Sequence, residues 1–110
     1  MKGKYTLFRG NDQQFYFNLK APNGERIGHS EGYTTKESAK NGIASTRINS
    51  PLDSRYNIFL GRDHQHYFRL NASNGQILIQ SEGYVTRQGA TNGKEAVKKY
   101  GPDAEVIDQT

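Results

Sequence analysis

Ser30-Glu31-Gly32-Tyr33 returns 51 residues later as Ser81-Glu82-Gly83-Tyr84. The same offset aligns the surrounding chain, and roughly 19 of some 43 aligned positions are identical, a level that chance does not give. Tyr5 matches Tyr56, Phe8 matches Phe59, Phe17 matches Phe68, and Leu19 matches Leu70. The pairs Asn23-Gly24 and Asn41-Gly42 return as Asn74-Gly75 and Asn92-Gly93. The chain therefore reads as two copies of one unit, repeat 1 over residues 4–52 and repeat 2 over residues 55–108. At 110 residues these make one domain, since either half alone would have a marginal core.

Each copy begins with strand signals. Tyr5 to Phe8 alternate, and Gly10-Asn11-Asp12 supplies turn chemistry. In Phe15 to Lys20, Phe15, Phe17 and Leu19 share one face, while Tyr16, Asn18 and Lys20 share the other. Asn23-Gly24 predicts a two-residue hairpin turn, because both residues tolerate positive φ. A third strand follows from Glu25 to Glu31, with Ile27 inward. Thr35 is a helix N-cap, and Ala39, Gly42, Ile43 and Thr46 form one stripe of a helix over Lys36–Ile48. Asn49-Ser50-Pro51 stops it. Glycine in a helix costs about 1 kcal/mol against alanine, so Gly42 and Gly93 predict close packing at those points.

The second copy predicts strands at Tyr56–Leu60, Tyr67–Leu70 and Gln76–Glu82, then a helix capped by Thr86 and running to Tyr100. Continued past that helix, the offset puts Ala104–Asp108 where another first strand belongs. The expected order is β-β-β-α, β-β-β-α, β, with the last strand beside the first unit.

The hydrophobic fraction of 33% is low and glycine is abundant at 12, which suits a thin-cored sheet protein with tight turns. Absence of cysteine excludes disulfides, thiolate metal sites and thiol catalysis, and favours a reducing compartment. No apolar run is long enough to span a bilayer and no signal region opens the chain, so a cytoplasmic protein without membrane contact is expected. The net charge of +4 permits anionic partners without requiring them.

The combination Leu19 to Gly24, Ser30 to Tyr33 and Thr35 to Ile43, with the ending Tyr100 to Asp108, resembles the YegP-like family of small bacterial proteins. The resemblance covers nearly the whole chain. It implies an α+β fold of tandem β3-α-β repeats sharing one antiparallel sheet. Both helices would lie on one face, with terminal strands exchanged between repeats about a pseudo-two-fold axis. It implies no biochemical activity. Gly89 and Lys94 depart from the family pattern and place the packing of the second helix in question.

No residues converge at catalytic spacing, so no catalytic residue and no cofactor is assigned and a non-enzymatic protein is expected. Asp63, His64 and His66 are the one metal candidate, because His64 and His66 would share a side if both lay on a strand. The first copy carries Gln13 and Phe15 at those positions, which favours a solvent-facing hairpin tip instead. Ser-Glu-Gly-Tyr reads as a strand ending, the glycine bending the chain and the tyrosine covering the helix start. Tyr16, Lys20, Tyr67 and Arg69 lie opposite the inward phenylalanines and form a possible binding face. Aromatics among cations suit single-stranded nucleic acid, RNA included. Exposed sheet edges suit a protein partner or self-association.

Overall fold

The computed structural model describes residues Met1–Thr110. Seven strands and two helices follow one another as β1 (Lys4–Arg9), β2 (Phe15–Lys20), β3 (Arg26–His29), α1 (Lys36–Asn49), β4 (Tyr56–Leu60), β5 (His66–Asn71), β6 (Ile77–Gln80), α2 (Arg87–Tyr100) and β7 (Glu105–Asp108). A single 3-10 turn, Asp53–Arg55, leads into β4. All strands join one sheet in the order β4-β5-β6-β3-β2-β1-β7. The fold is α+β, as the repeat reading predicts.

Two expectations need correction. The sheet is mixed, not wholly antiparallel, because β7 runs parallel to β1 with Lys4 opposite Glu105 and Leu7 opposite Asp108. The turns at Asn23-Gly24 and Asn74-Gly75 are not two-residue turns with paired positive φ. Only Gly24 and Gly75 have positive φ, at 89° and 88°. The Gly24 amide bonds to the Ala21 carbonyl and Ala21 to Glu25, which is a type I turn closed by a left-handed glycine. Asn23 stays outside the left-handed region, and its side chain accepts from the Glu25 amide at 2.9 Å. The β1–β2 and β4–β5 loops use the same design, with Gln13 (φ 69°) and His64 (φ 63°) in the glycine's place.

The pseudo-two-fold axis is visible in contacts between equivalent residues. His29 lies opposite Gln80 where β3 meets β6. Gly28 leaves room for Ile79, whose Cδ1 would lie 3.0 Å from an added Cβ. Ser50 and Gly101, each just past the end of a helix, also touch. Across this axis, the Tyr5 hydroxyl donates to the Gly101 carbonyl at 2.6 Å and the Tyr56 hydroxyl to Ser50 at 2.7 Å. Each first-strand tyrosine thus caps the end of a helix from the opposite repeat.

Both helices pack over the same sheet face, α1 against β2 and β6, α2 against β5 and β3. Their caps form as expected, Thr35 accepting from the Ser38 amide and Thr86 from Gly89, each at 3.0 Å. The core beneath them includes Tyr5, Leu7, Phe17, Leu19, Phe68, Leu70, Ile79 and Val97, all fully buried. A Cβ at Gly42 would fall on the Tyr33 ring and one at Gly93 on the Tyr84 ring. Close approach does explain these glycines, and the tyrosine of each Ser-Glu-Gly-Tyr is what approaches. The second helix packs despite its departures. Lys94, which replaces the buried Ile43, keeps only 14% side-chain exposure while its ammonium reaches the Asp53 carboxylate at 2.9 Å.

Candidate functional site

Ser-Glu-Gly-Tyr builds the sheet. Ser30 pairs its backbone with Phe17, and Tyr33 pairs with Phe15. Three steps on one strand therefore match two on the other, so the segment holds one extra residue, a β-bulge. The Ser30 hydroxyl accepts from the Phe17 amide and donates to the Glu31 carbonyl, both at 2.9 Å. Ser81 repeats both bonds with Phe68 and Glu82. Both hydroxyls are thus engaged by main chain.

The histidine cluster does not assemble as a strand pair. β5 begins at His66, while His64 sits in the left-handed position of the preceding turn, so the two do not share a strand face. The Asp63 carboxylate is engaged chiefly by the Tyr67 hydroxyl and then by the Gln65 amide, which hold it below the ordinary carboxylate range. Asp63, His64 and His66 form no group able to hold a metal ion. Histidine at this position is explained by its tolerance of the left-handed region.

Tyr16, Lys20, Tyr67 and Arg69 do lie on the helix-free face, as alternation predicts. They are not one cluster. Strands β3 and β6 separate β2 from β5, a span of about 14 Å. Each end of the face carries a stacked pair instead. Phe8 stacks on Tyr16 with centroids 5.7 Å apart, and Phe59 on Tyr67 at 5.6 Å. The Tyr16 hydroxyl donates to Asp12 and the Tyr67 hydroxyl to Asp63. These bonds push both phenols above their ordinary value, so both tyrosines stay neutral across the physiological range.

Between the pairs the two copies diverge. In the second copy, the Arg69 guanidinium lies 4.5 Å from the Phe59 ring centroid, and its Nε donates to Gln80 at 2.8 Å. In the first copy, the equivalent residue is Asn18, and the shorter side chain leaves an open cleft. Phe8, Tyr16, Asn18, Arg26, His29 and Ser30 line it. Arg26 pairs with Glu82 across the β3–β6 junction, and His29 Nε2 is 4.0 Å from the same carboxylate. A second cleft adjoins this one and shares Tyr16, His29 and Ser30 with it. The cleft thus offers an aromatic wall, an amide and a rim where Arg26 is already paired with Glu82, which can stack a flat ring and read a hydrogen-bonding edge.

Sequence reasoning missed Phe8, Asn18 as a cleft residue, Arg26 and His29. The identity of Phe8 with Phe59, each one strand away from a repeated tyrosine, was a usable signal for the stacks. Arg26 and His29 carried none, because the second copy has Ile77 and Gln80 there.

Comparison with known proteins places this geometry. The description "Domain of unknown function (DUF1508)" matches residues 11–57 and again 62–108. UPF0339 protein YegP of Escherichia coli K12 is 44% identical over 110 residues, covering 100% of both chains. A UPF0339 protein of Bordetella pertussis is 44% identical over 106 residues, 96% of each chain. The solution NMR structure of Escherichia coli yegP, described as a protein of unknown function, superposes with a TM-score of 0.95, covering 100% of this chain and 95% of that one. The solution NMR structure of a UPF0339 protein from Shewanella oneidensis gives 0.91 at 40% identity, covering 98% and 92%. No helix of the present chain is long and apolar enough to cross a membrane. With full-length identity, superposable folds and two tandem DUF1508 matches, the chain belongs to the YegP (UPF0339) family.

Proposed function

We propose that this protein is a binding module, not an enzyme, and that the first-repeat cleft receives a base of single-stranded nucleic acid, with RNA as the leading candidate. One observation carries the reading. The duplicated face is blocked by Arg69 in one copy and left open by Asn18 in the other, between an aromatic pair and the Arg26–Glu82 ion pair. Base stacking on aromatic side chains contributes about 1–3 kcal/mol per base and tolerates many sequences. Lys20, on the same strand face as Tyr16 and Asn18, supplies a cation for a phosphate contact. The engagement of Ser30, Ser81, Asp12 and Asp63 in structural hydrogen bonds supports the non-enzymatic part. Lack of cysteine supports a reducing compartment, and the proposal places the protein in the cytoplasm.

Fluorescence polarisation of labelled single-stranded RNA at low and high salt tests it. Binding is expected at low salt, weakening as salt rises, and Asn18→Arg or Tyr16→Ala should reduce it about tenfold. No binding at low salt defeats the proposal. A second reading, docking of a protein segment, is favoured by an independent feature at the far side of the sheet.

A further inference from the structure

The repeat supplies its own template for an occupied sheet edge. On β1, the Gly3 and Leu7 carbonyls accept from the Glu105 and Gln109 amides, so Tyr5 and Leu7 direct their backbone groups toward β7. Asp108 ends β7, and its carboxylate meets Lys36 in the first turn of α1 at 2.6 Å. The equivalents of Tyr5 and Leu7 are Tyr56 and Ile58 in β4, and β4 has a partner only on the β5 side. The Tyr56 amide is already bonded to Asp53. The Tyr56 carbonyl and, by alternation, the backbone groups of Ile58 and Leu60 face the vacant side. The segment that follows α1 cannot fill this slot. A parallel strand needs a crossover of a dozen residues or more to return, and only residues 50–55 separate α1 from β4.

The electrostatic partner is repeated as well. Arg87, in the first turn of α2, is the equivalent of Lys36. It is exposed and forms no ion pair. Leu60, at the end of the vacant edge, is 59% exposed. We propose that the β4 edge receives an extended segment of a partner protein, parallel to β4, with an apolar pair followed by an acidic residue that meets Arg87. Val106-Ile107-Asp108 is the intramolecular version of that pattern. Pairing of β4 with β4 of a second copy is disfavoured by charge. It would bring Arg55 and Arg62, at opposite ends of the strand, toward each other from the two copies, whereas Asp53 and Asp63 are already engaged.

A synthetic peptide of residues 102–110 serves as the probe, titrated into the isotope-labelled full chain and followed by amide NMR. The native β7 keeps its place on β1, because it is tethered there, buries Ala104 and pairs Asp108 with Lys36. Expected are shifts at Ile58, Leu60 and Arg87 with β1 amides unmoved, and a dissociation constant on the order of 0.1–1 mM for a short flexible peptide. Arg87→Glu should weaken binding about tenfold and leave the melting temperature unchanged, since an acidic residue suits a helix N-terminus. Three results overturn the proposal: no shifts at millimolar peptide, shifts confined to Tyr5 and Leu7, or a peptide-free dimer in which Ile58 and Leu60 are already protected.

Discussion

At one outer edge of the sheet β1 lies inside β7; at the other, β4 is the last strand. Both edges derive from the same segment of the repeat and carry the same tyrosine hydrogen bond to a helix end. Their burial differs sharply. Tyr5 and Leu7 are 0% exposed, whereas Tyr56 and Ile58 are only partly buried. Sequence similarity therefore sets the backbone path of each half, while chain connectivity sets how much of that path is covered. The second repeat has a continuation that can lie on the first. The first repeat's continuation is consumed in starting the second.

The comparison breaks most directly if β7 is removed. Deletion from Ala104 onward strips four paired residues from β1, uncovers Tyr5 and Leu7, and removes buried Ala104. A loss on the order of 2–3 kcal/mol is expected from the lost ladder bonds and apolar burial, roughly 10 °C or more for a domain of this size. Thermal melting followed by circular dichroism measures it. An unchanged midpoint would show that the covered edge is no more stable than the bare one.

Equivalent substitutions sharpen the same contrast. Leu7→Ala should cost about 2–4 kcal/mol, and Ile58→Ala about half that, because a partly exposed site loses less burial and leaves less of a cavity. Urea unfolding of the two variants gives the ratio. Equal costs would mean that β4 is covered in solution by something other than this chain.

Much of this contrast was readable beforehand, and the unreadable parts share a cause. Thr35 and Thr86 announced their helices because capping is local, involving residues three apart. Ala104–Asp108 announced itself as a strand through the continued offset, and its place beside the first unit followed from the need for a partner. The direction of β7 was not legible. Parallel pairing depends on where α2 delivers the chain. Nor was the turn at Asn23-Gly24, where the Asn23 side chain satisfies the Glu25 amide and holds its own backbone out of the left-handed region. The cleft was hidden for a third reason. It exists because Asn18 and Arg69 differ in length above a ring from a neighbouring strand. Only the pairing register puts Phe8 beside Tyr16 and Phe59 beside Tyr67. The extra residue in Ser-Glu-Gly-Tyr was likewise invisible until its bonds to Phe15 and Phe17 were counted.

Smaller effects should be equal in the two halves, because the loops they touch are equally covered. Gln13 and His64 each hold a left-handed backbone that costs a residue with a Cβ about 1 kcal/mol. Gln13→Gly and His64→Gly should each stabilise by about 0.5 kcal/mol, once the greater freedom of glycine in the unfolded chain is deducted. Denaturant midpoints of the single variants would show it. A loss at His64 alone would restore a specific role for that side chain.

The smallest effect concerns the ion pair that pins β7, and pH separates it from packing. Lys36 chiefly, with the Thr110 hydroxyl and amide, holds the Asp108 carboxyl well below its ordinary value. The folded chain therefore binds this proton less readily than the unfolded chain does. The stabilisation is present above the unfolded pKa of about 4 and is lost as pH falls through the folded value. Asp108→Asn should lower the melting temperature at pH 7 by about a degree or two, since both partners are substantially exposed to solvent. It should also reduce the steepness with which stability declines below pH 4. Asp53, held low by Lys94 and then Lys98, titrates in the same direction and remains in the variant, so the decline is reduced but not abolished. The second half gives the control: Arg87 has no acidic partner, so Arg87→Gln should leave the acid limb of the stability curve where it is. If both substitutions moved that limb equally, the charge at the head of α2 would already be satisfied, and the β4 edge would not be the vacant counterpart of β1.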